Sequence, residues 1–276
     1  MPELPEVEAT RRAIAGELTG NRVSLVEVGR DRMLRRQERP GDFAERLSGR
    51  RIERWRRHGK FLIADLEGDV AWVTHLGMSG RVQLAGPAEA RVAHTNVVVA
   101  TEGGTEFRLV DPRTFGFVAA YLPDELAASP VGRLGPDALD ALPSARQLGV
   151  LLRGRSVPIK PALLDQRIVS GIGNIYADEA LSRAAISPHR PAGSLETAEL
   201  SRLRRSIADT LQMGLRWGGT SLDDLAYLLP DGATGDYTRR LRAYGREGKP
   251  CRRCGLPIRR DVLRQRSTFW CEGCQR

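Results

Sequence analysis

Four cysteines, all within the last 26 residues, restrict the fold of this chain more than any other feature. Cys251 and Cys254 are separated by two residues, and after 16 intervening residues Cys271 and Cys274 repeat the spacing. Each Cys-x-x-Cys pair can present two thiolates to one tetrahedral ion, and two pairs complete its coordination sphere. The segment between them must then fold back on itself as a hairpin. Free thiols and disulfides are the alternatives, and disulfides are disfavoured in a reducing compartment. Four protein ligands leave no open position, so the spacing predicts one structural Zn2+ and no catalytic role for the ion. Arg259, Arg260, Arg264 and Arg266 crowd the hairpin, and Thr268, Phe269 and Trp270 lead back to the second pair. A pinned hairpin bearing arginines suits phosphate binding. On this motif alone, a zinc ribbon that binds protein or caps the fold stays open.

The charge balance points the same way. Lys and Arg number 43 against 34 acids, a formal net charge of +9 over 276 residues. A field of that size suits a polyanion and makes its binding salt-dependent. No apolar run reaches the length of a membrane span, and acids stand at the N-terminus where a signal peptide needs a basic stretch. The expectation is a cytoplasmic protein with no membrane partner.

The length suffices for more than one core. Pro5 opens a helical segment over residues 5–19, with Glu6 and Glu8 in its first turn and Glu8 spaced to pair with Arg12. From about 22 to 121 short β-rich runs alternate with Gly and charged turns: Val23–Val28, Phe61–Leu66, Val70–His75, Asn96–Ala100, Glu106–Val110 and Phe115–Tyr121. Many short strands with few helices between them predict an antiparallel sandwich or barrel. Pro123–Pro143 carries four prolines and reads as a hinge. Beyond it Pro161–Arg167, Ile175–Arg183, Thr197–Arg216 and Leu222–Leu229 have helical patterns, and Pro230–Asp236, rich in Gly and Asp, reads as a mobile loop. The resulting class is α+β multidomain, with expected divisions at 1–125, 126–240 and 241–276.

The N-terminus reads Met1-Pro2-Glu3-Leu4-Pro5-Glu6-Val7-Glu8. If Met1 is removed, Pro2 carries a secondary α-amine with a reference pKa of about 7.7–8.0, partly unprotonated near neutral pH. Such an amine can attack an electrophilic carbon and form a cationic iminium, with Glu3 beside it as a proton carrier. The plainer reading is a helix start, Pro at the first position and acids favouring the positive end of the helix dipole.

Eight motifs in order decide between these readings: PELPEVE at the N-terminus, HGKFL around Lys60, HLGMSG over His75–Gly80, DPRTFG over Asp111–Gly116, IKPALLDQR over Ile159–Arg167, GIGNIYADEAL over Gly171–Leu181, and YGREGKPC with QRSTFWC at the metal ligands. Together they resemble the bacterial formamidopyrimidine-DNA glycosylase family from end to end. The resemblance implies an N-terminal antiparallel β-sandwich with a leading helix, a helix–two-turn–helix domain and a C-terminal β-hairpin zinc finger. It implies a bifunctional DNA glycosylase and apurinic/apyrimidinic lyase that excises 8-oxoguanine and formamidopyrimidines from damaged double-stranded DNA, as a monomer. Damaged nucleotides must leave the stack for such chemistry.

The implied catalytic set is Pro2 as nucleophile, Glu3 as proton donor, Lys60 at the flanking phosphate and in proton transfer, and Arg266 on the phosphates around the lesion, with Glu6 as support. Met78, Arg113 and Phe115 match the residues that fill the gap left by the flipped nucleotide. His94, Arg155, Lys160 and Asn174 match DNA-contacting positions; where many relatives carry a second basic residue after Arg155, this chain has Ser156. For His75 a satisfied strand histidine remains the alternative. The segment LPDGATGDYT over Leu229–Thr238 matches the loop that closes over an extruded purine, though many relatives have an aromatic near Asp236 or Tyr237. Rival readings are a non-catalytic damage-sensing paralogue and an endonuclease VIII-like glycosylase for oxidised pyrimidines, whose members typically begin with PEGP-like sequences.

Overall fold

The computed structural model of the chain describes residues 2–221 and 227–276. They pack as two compact units, one formed by residues 1–133 with 217–236 and the other by 134–216 with 237–276.

In the first unit a leading helix, α1 (Leu4–Leu18), precedes eight strands. These are β1 (Val23–Val28), then after a second helix α2 (Pro40–Leu47), β2 (Ile52–His58), β3 (Phe61–Leu66), β4 (Val70–His75), β5 (Arg81–Ala85), β6 (Thr95–Thr101), β7 (Glu106–Val110) and β8 (Phe117–Tyr121), followed by a short helix α3 (Pro123–Ala128). They form two antiparallel four-stranded sheets, ordered β1-β6-β7-β5 and β2-β3-β4-β8. The inner faces meet in one core where Trp55 and Trp72 of one sheet pack on Phe107 of the other, with ring centroids 6.0 and 4.8 Å away. This is the expected sandwich.

Two strands and one helix of this unit escape the sequence pattern. β2 reads IERWRRH, and a bulge between Ile52 and Arg54 turns Ile52 and Trp55, three residues apart, to the core together. Strict alternation therefore fails to mark it, while Arg54 and Arg56 lie against Asp65 on β3. β5 is short and carries only Val82 and Ala85 into the core. α2 is recognisable by Pro40 at its start and Phe43 and Leu47 on its buried face. Phe115, read as the start of a strand, lies in the loop before β8.

The second unit holds α4 (Ala145–Leu152), α5 (Ile159–Leu164), α6 (Asn174–Ala184), α7 (Thr197–Arg216) and the hairpin β9 (Arg259–Leu263) and β10 (Arg266–Trp270). α4 lacks a counterpart among the sequence expectations, although Ser144 caps it and Gln147 bonds back, a capping box. α6 begins one residue earlier than expected, so Gly173 is its N-cap and Asn174 its first helical residue. Of the helix expected at Leu222–Leu229, Leu222–Ala226 lie outside the described residues, and Tyr227–Leu229 are not helical. Tyr237 is buried in the second unit, stacked on Tyr176 at 5.7 Å. Among the described residues no helix is long and apolar enough to cross a membrane.

Candidate functional site

Pro2 and Glu3 are buried at the head of α1. Glu6, one turn on, fixes this end: its Oε2 accepts the Glu3 N–H at 2.9 Å, and its Oε1 accepts from the backbone N and Oγ1 of Thr220 at 2.7 and 3.0 Å. The Tyr227 hydroxyl donates to the Glu6 carbonyl at 3.0 Å. Gly219, at φ +83°, permits the approach; a Cβ there would stand 2.7 Å from Glu6 Oε1. Glu6 thus joins the first helix to the segment 217–236, far away in sequence. Glu8 pairs with Arg12 as its spacing implies, and also with Arg11 and Arg57.

Arg57, just upstream of the HGKFL motif, is buried, with 1% of its side chain exposed. It donates to Glu8 and to the carbonyl of Gly59 at 3.0 Å. Gly59 has φ +57°, and this braced turn sets the half-buried Lys60 at the head of β3. Opposite Phe61 in the sheet register is His75, enclosed between Phe61 and Phe117. Its Nδ1 accepts the Gly77 N–H at 3.0 Å, which places the proton of the neutral ring on Nε2. Burial first, then the charges of Lys60 and Arg35, push its pKa down from 6.5 to about 4.

The three gap-filling candidates sit on two adjoining loops. Met78 is half-buried, Arg113 exposed and Phe115 38% exposed. The Arg113 guanidinium lies 4.8 Å from the centre of the Phe115 ring. His94 is exposed at φ +67°, and its carbonyl accepts the Asp111 N–H at 3.0 Å.

In the second unit the Sγ atoms of Cys251, Cys254, Cys271 and Cys274 lie within 4.8 Å of one another. Cys254–Cys271 and Cys251–Cys274 are 3.4 and 3.9 Å apart, too far for a disulfide. Four thiolates at the Zn–S bond length of about 2.3 Å stand roughly 3.8 Å from each other in a tetrahedron, so the set fits zinc. The turn of the hairpin is Arg264–Gln265, both at positive φ, +44° and +63°. Such a two-residue turn normally takes Asn-Gly. Here a tight turn in a disfavoured conformation lifts Arg264 and Arg266 into solvent.

Lys160 departs from its expected role as a phosphate-contacting cation. It is fully buried, 2.7 Å from Asp178 Oδ1, and donates to the Ser267 carbonyl and Thr268 Oγ1 at 2.8 and 3.0 Å. The other oxygen of Asp178 accepts the Phe269 N–H at 3.0 Å. Burial raises the Asp178 pKa to about 7 against the pull of Lys160. Its neighbour Glu179, also buried, accepts from the N–H groups of Arg242, Ala243 and Tyr244. Two consecutive carboxylates of α6 therefore hold β10 and the strand-free lead into the metal site. Asn174 joins them, its Nδ2 donating to the Ser267 carbonyl at 3.1 Å. Arg155 is exposed, its Nε bound to the Leu151 carbonyl.

A two-sheet sandwich followed by a helical unit with a four-thiolate hairpin defines a zinc-finger protein of the DNA-repair glycosylase type, and the comparisons make the assignment. Residues 1–118 match the formamidopyrimidine-DNA glycosylase N-terminal domain, residues 134–225 the formamidopyrimidine-DNA glycosylase H2TH domain, and residues 248–276 the zinc finger found in FPG and IleRS. The chain belongs to the formamidopyrimidine-DNA glycosylase family. It is 43% identical to the formamidopyrimidine-DNA glycosylase of Parasynechococcus marenigrum and 41% to that of Methylococcus capsulatus, with all of each chain covered. Among solved structures, the MutM (FPG) protein of Thermus thermophilus aligns with a TM-score of 0.89 at 40% identity, over 99% of this chain and 98% of that one. The Lactococcus lactis Fpg in complex with abasic-site DNA aligns at 0.90 and 29% identity over all of both chains. The four cysteines are accordingly the ligands of a structural zinc finger.

Proposed function

We propose that this chain excises oxidised purines, 8-oxoguanine and formamidopyrimidines, from double-stranded DNA and then cleaves the strand, acting as a monomer in the cytoplasm. With Met1 removed, the Pro2 nitrogen attacks C1′ as the bond from C1′ to the damaged base breaks. The base leaves with the electron pair of that bond and takes up the proton that the Pro2 nitrogen sheds. Glu3 delivers a proton to the sugar ring oxygen, the ring opens, and an iminium joins Pro2 to C1′. The iminium acidifies C2′, so loss of a C2′ proton expels the 3′ phosphate, and a second elimination expels the 5′ phosphate. Lys60 and Arg266 stabilise the phosphate charge during these steps. Met78, Arg113 and Phe115 occupy the space of the flipped nucleotide, and His94, Arg155 and Asn174 contact the backbone. Lys160 acts through Ser267 and Thr268 and touches no phosphate.

The observation that carries this reading is the Glu3–Glu6–Thr220 arrangement. Both oxygens of Glu6 are taken by N–H and O–H donors, so Glu6 positions the amine-bearing end of α1 and leaves proton delivery to Glu3. Glu3→Gln tests it. Base release from an 8-oxoguanine:cytosine duplex should fall by about 100-fold or more, the usual worth of a positioned proton donor, while binding to an abasic-site duplex changes little. Wild-type base release by that variant would refute the assignment.

A further inference from the structure

The loop that carries Arg113 and Phe115 is held by groups that lie outside the residues assigned to DNA. Asp111, fully buried, takes its amides: Oδ1 accepts the Arg113 N–H at 3.2 Å and Oδ2 the Gly116 N–H at 2.7 Å. The same Oδ1 accepts the Ser79 hydroxyl at 2.6 Å, so one carboxylate ties this loop to the residue next to Met78. The two backbones touch, for a Cβ on Gly77 would stand 2.4 Å from both the Phe115 carbonyl carbon and the Gly116 nitrogen.

The carbonyls of the loop face the other way and are met by arginines from the turn Asp31–Leu34 and the residue after it. Arg32 Nε donates to Thr114 O at 3.3 Å, and Arg35 donates to Phe115 O at 2.6 Å and Gly116 O at 2.5 Å. Three successive carbonyls are thus satisfied by two guanidinium groups, although Thr114 sits at φ +53°, a conformation a free loop with a β-branched residue avoids. The Arg35 guanidinium also rests 5.3 Å from the centre of the Phe117 ring. A loop whose amides and carbonyls are both engaged keeps its shape before DNA arrives, and a preformed wedge loses no ordering entropy on insertion.

We infer that Arg35 and Asp111 are positioning residues that hold the Arg113–Phe115 wedge in its inserting conformation and so set how the enzyme discriminates the base opposite the lesion. This rests on the proposed placement of Arg113 in the space of the flipped nucleotide, where its guanidinium can face the orphaned base. Neither residue is among the groups assigned to the damaged sugar, so their effect on excision runs through the wedge. Chemistry on a strand with no opposite base must therefore be indifferent to them.

The test measures single-turnover excision of 8-oxoguanine opposite cytosine and opposite adenine, and cleavage of a single-stranded abasic oligonucleotide, for wild type, Arg35→Gln, Arg35→Lys and Arg113→Ala. Loss of hydrogen bonds from a charged donor should lower Arg35→Gln excision opposite cytosine about tenfold and shift the cytosine-to-adenine ratio at least about threefold. Lys, which keeps the charge but reaches one carbonyl, should recover part of both. Single-strand cleavage by the two Arg35 variants should stay at the wild-type rate. An unchanged ratio in Arg35→Gln alongside a shifted ratio in Arg113→Ala overturns the inference alone. An unchanged ratio in both overturns the reading of Arg113 beneath it. An equal loss on the single strand in both Arg35 variants also overturns the inference, because it shows a general defect of the unit.

Discussion

Two exposed tips of this molecule, the zinc hairpin turn around Arg264–Arg266 and the Arg113–Phe115 wedge, solve the same problem with different chemistry. Each presents cations to solvent on backbone in a disfavoured conformation: Arg264 and Gln265 in the hairpin, Thr114 in the wedge. The hairpin is held from its base by four thiolates and from its flank by Lys160 and Asp178. The wedge is held instead by hydrogen bonds from one buried carboxylate and two guanidinium groups, with the backbone of Gly77 packed against it. Coordination is strong and local, whereas the wedge depends on a network in which each bond contributes about 1–3 kcal/mol. In both tips a disfavoured backbone conformation is held by residues distant in sequence, which lie wherever the fold brings them.

The largest effect should come from the metal. Cys271→Ser removes one ligand of an ion whose binding is worth about 10–16 kcal/mol in isolated fingers. The variant should purify without zinc and lose much of its DNA affinity; full zinc content by metal analysis would show that the four-cysteine site is misread. A smaller effect separates the hairpin's two supports. Lys160→Met leaves the Asp178 carboxylate buried without its cation and should cost about 3–5 kcal/mol of stability, read by denaturant unfolding, while zinc stays at one per chain. Unchanged stability would mean that the metal alone holds the hairpin.

The smallest effect belongs to the wedge side. His75 has a folded pKa near 4 against 6.5 when exposed, so between those values the unfolded chain binds the extra proton. Stability from this group is complete above about 6.5 and is lost as pH falls toward about 4. Protonated Nδ1 can no longer accept from Gly77, so acid should loosen the turn before Met78. Ring NMR signals of His75 titrating with a midpoint near 4 would agree; a midpoint at 6.5 would contradict it.

The same contrast explains what could be read from the chain itself. The metal site is written in spacing, and the sandwich in short alternating runs, so both were legible. β2 was not, because its bulge breaks the alternation and three arginines mask it. Arg35 lies 80 residues from Phe115 and in none of the recognisable motifs, so nothing local marks its role. Lys160 was legible as a cation but not as a buried one, since its partner Asp178 comes from the next helix. The burial of Arg57 has no local sign for the same reason, its partner Glu8 lying 49 residues earlier. Residue type and local spacing identify the groups that meet the substrate more readily than the groups that hold them.

The proposed chemistry turns on the covalent role of Pro2. Borohydride trapping on a duplex carrying one 8-oxoguanine opposite cytosine, with mass mapping of the crosslinked peptide, tests it most directly. The expected product is a reduced adduct joining the sugar to the Pro2 nitrogen of a chain lacking Met1. An adduct on a lysine, or efficient strand cleavage with no adduct, would contradict it.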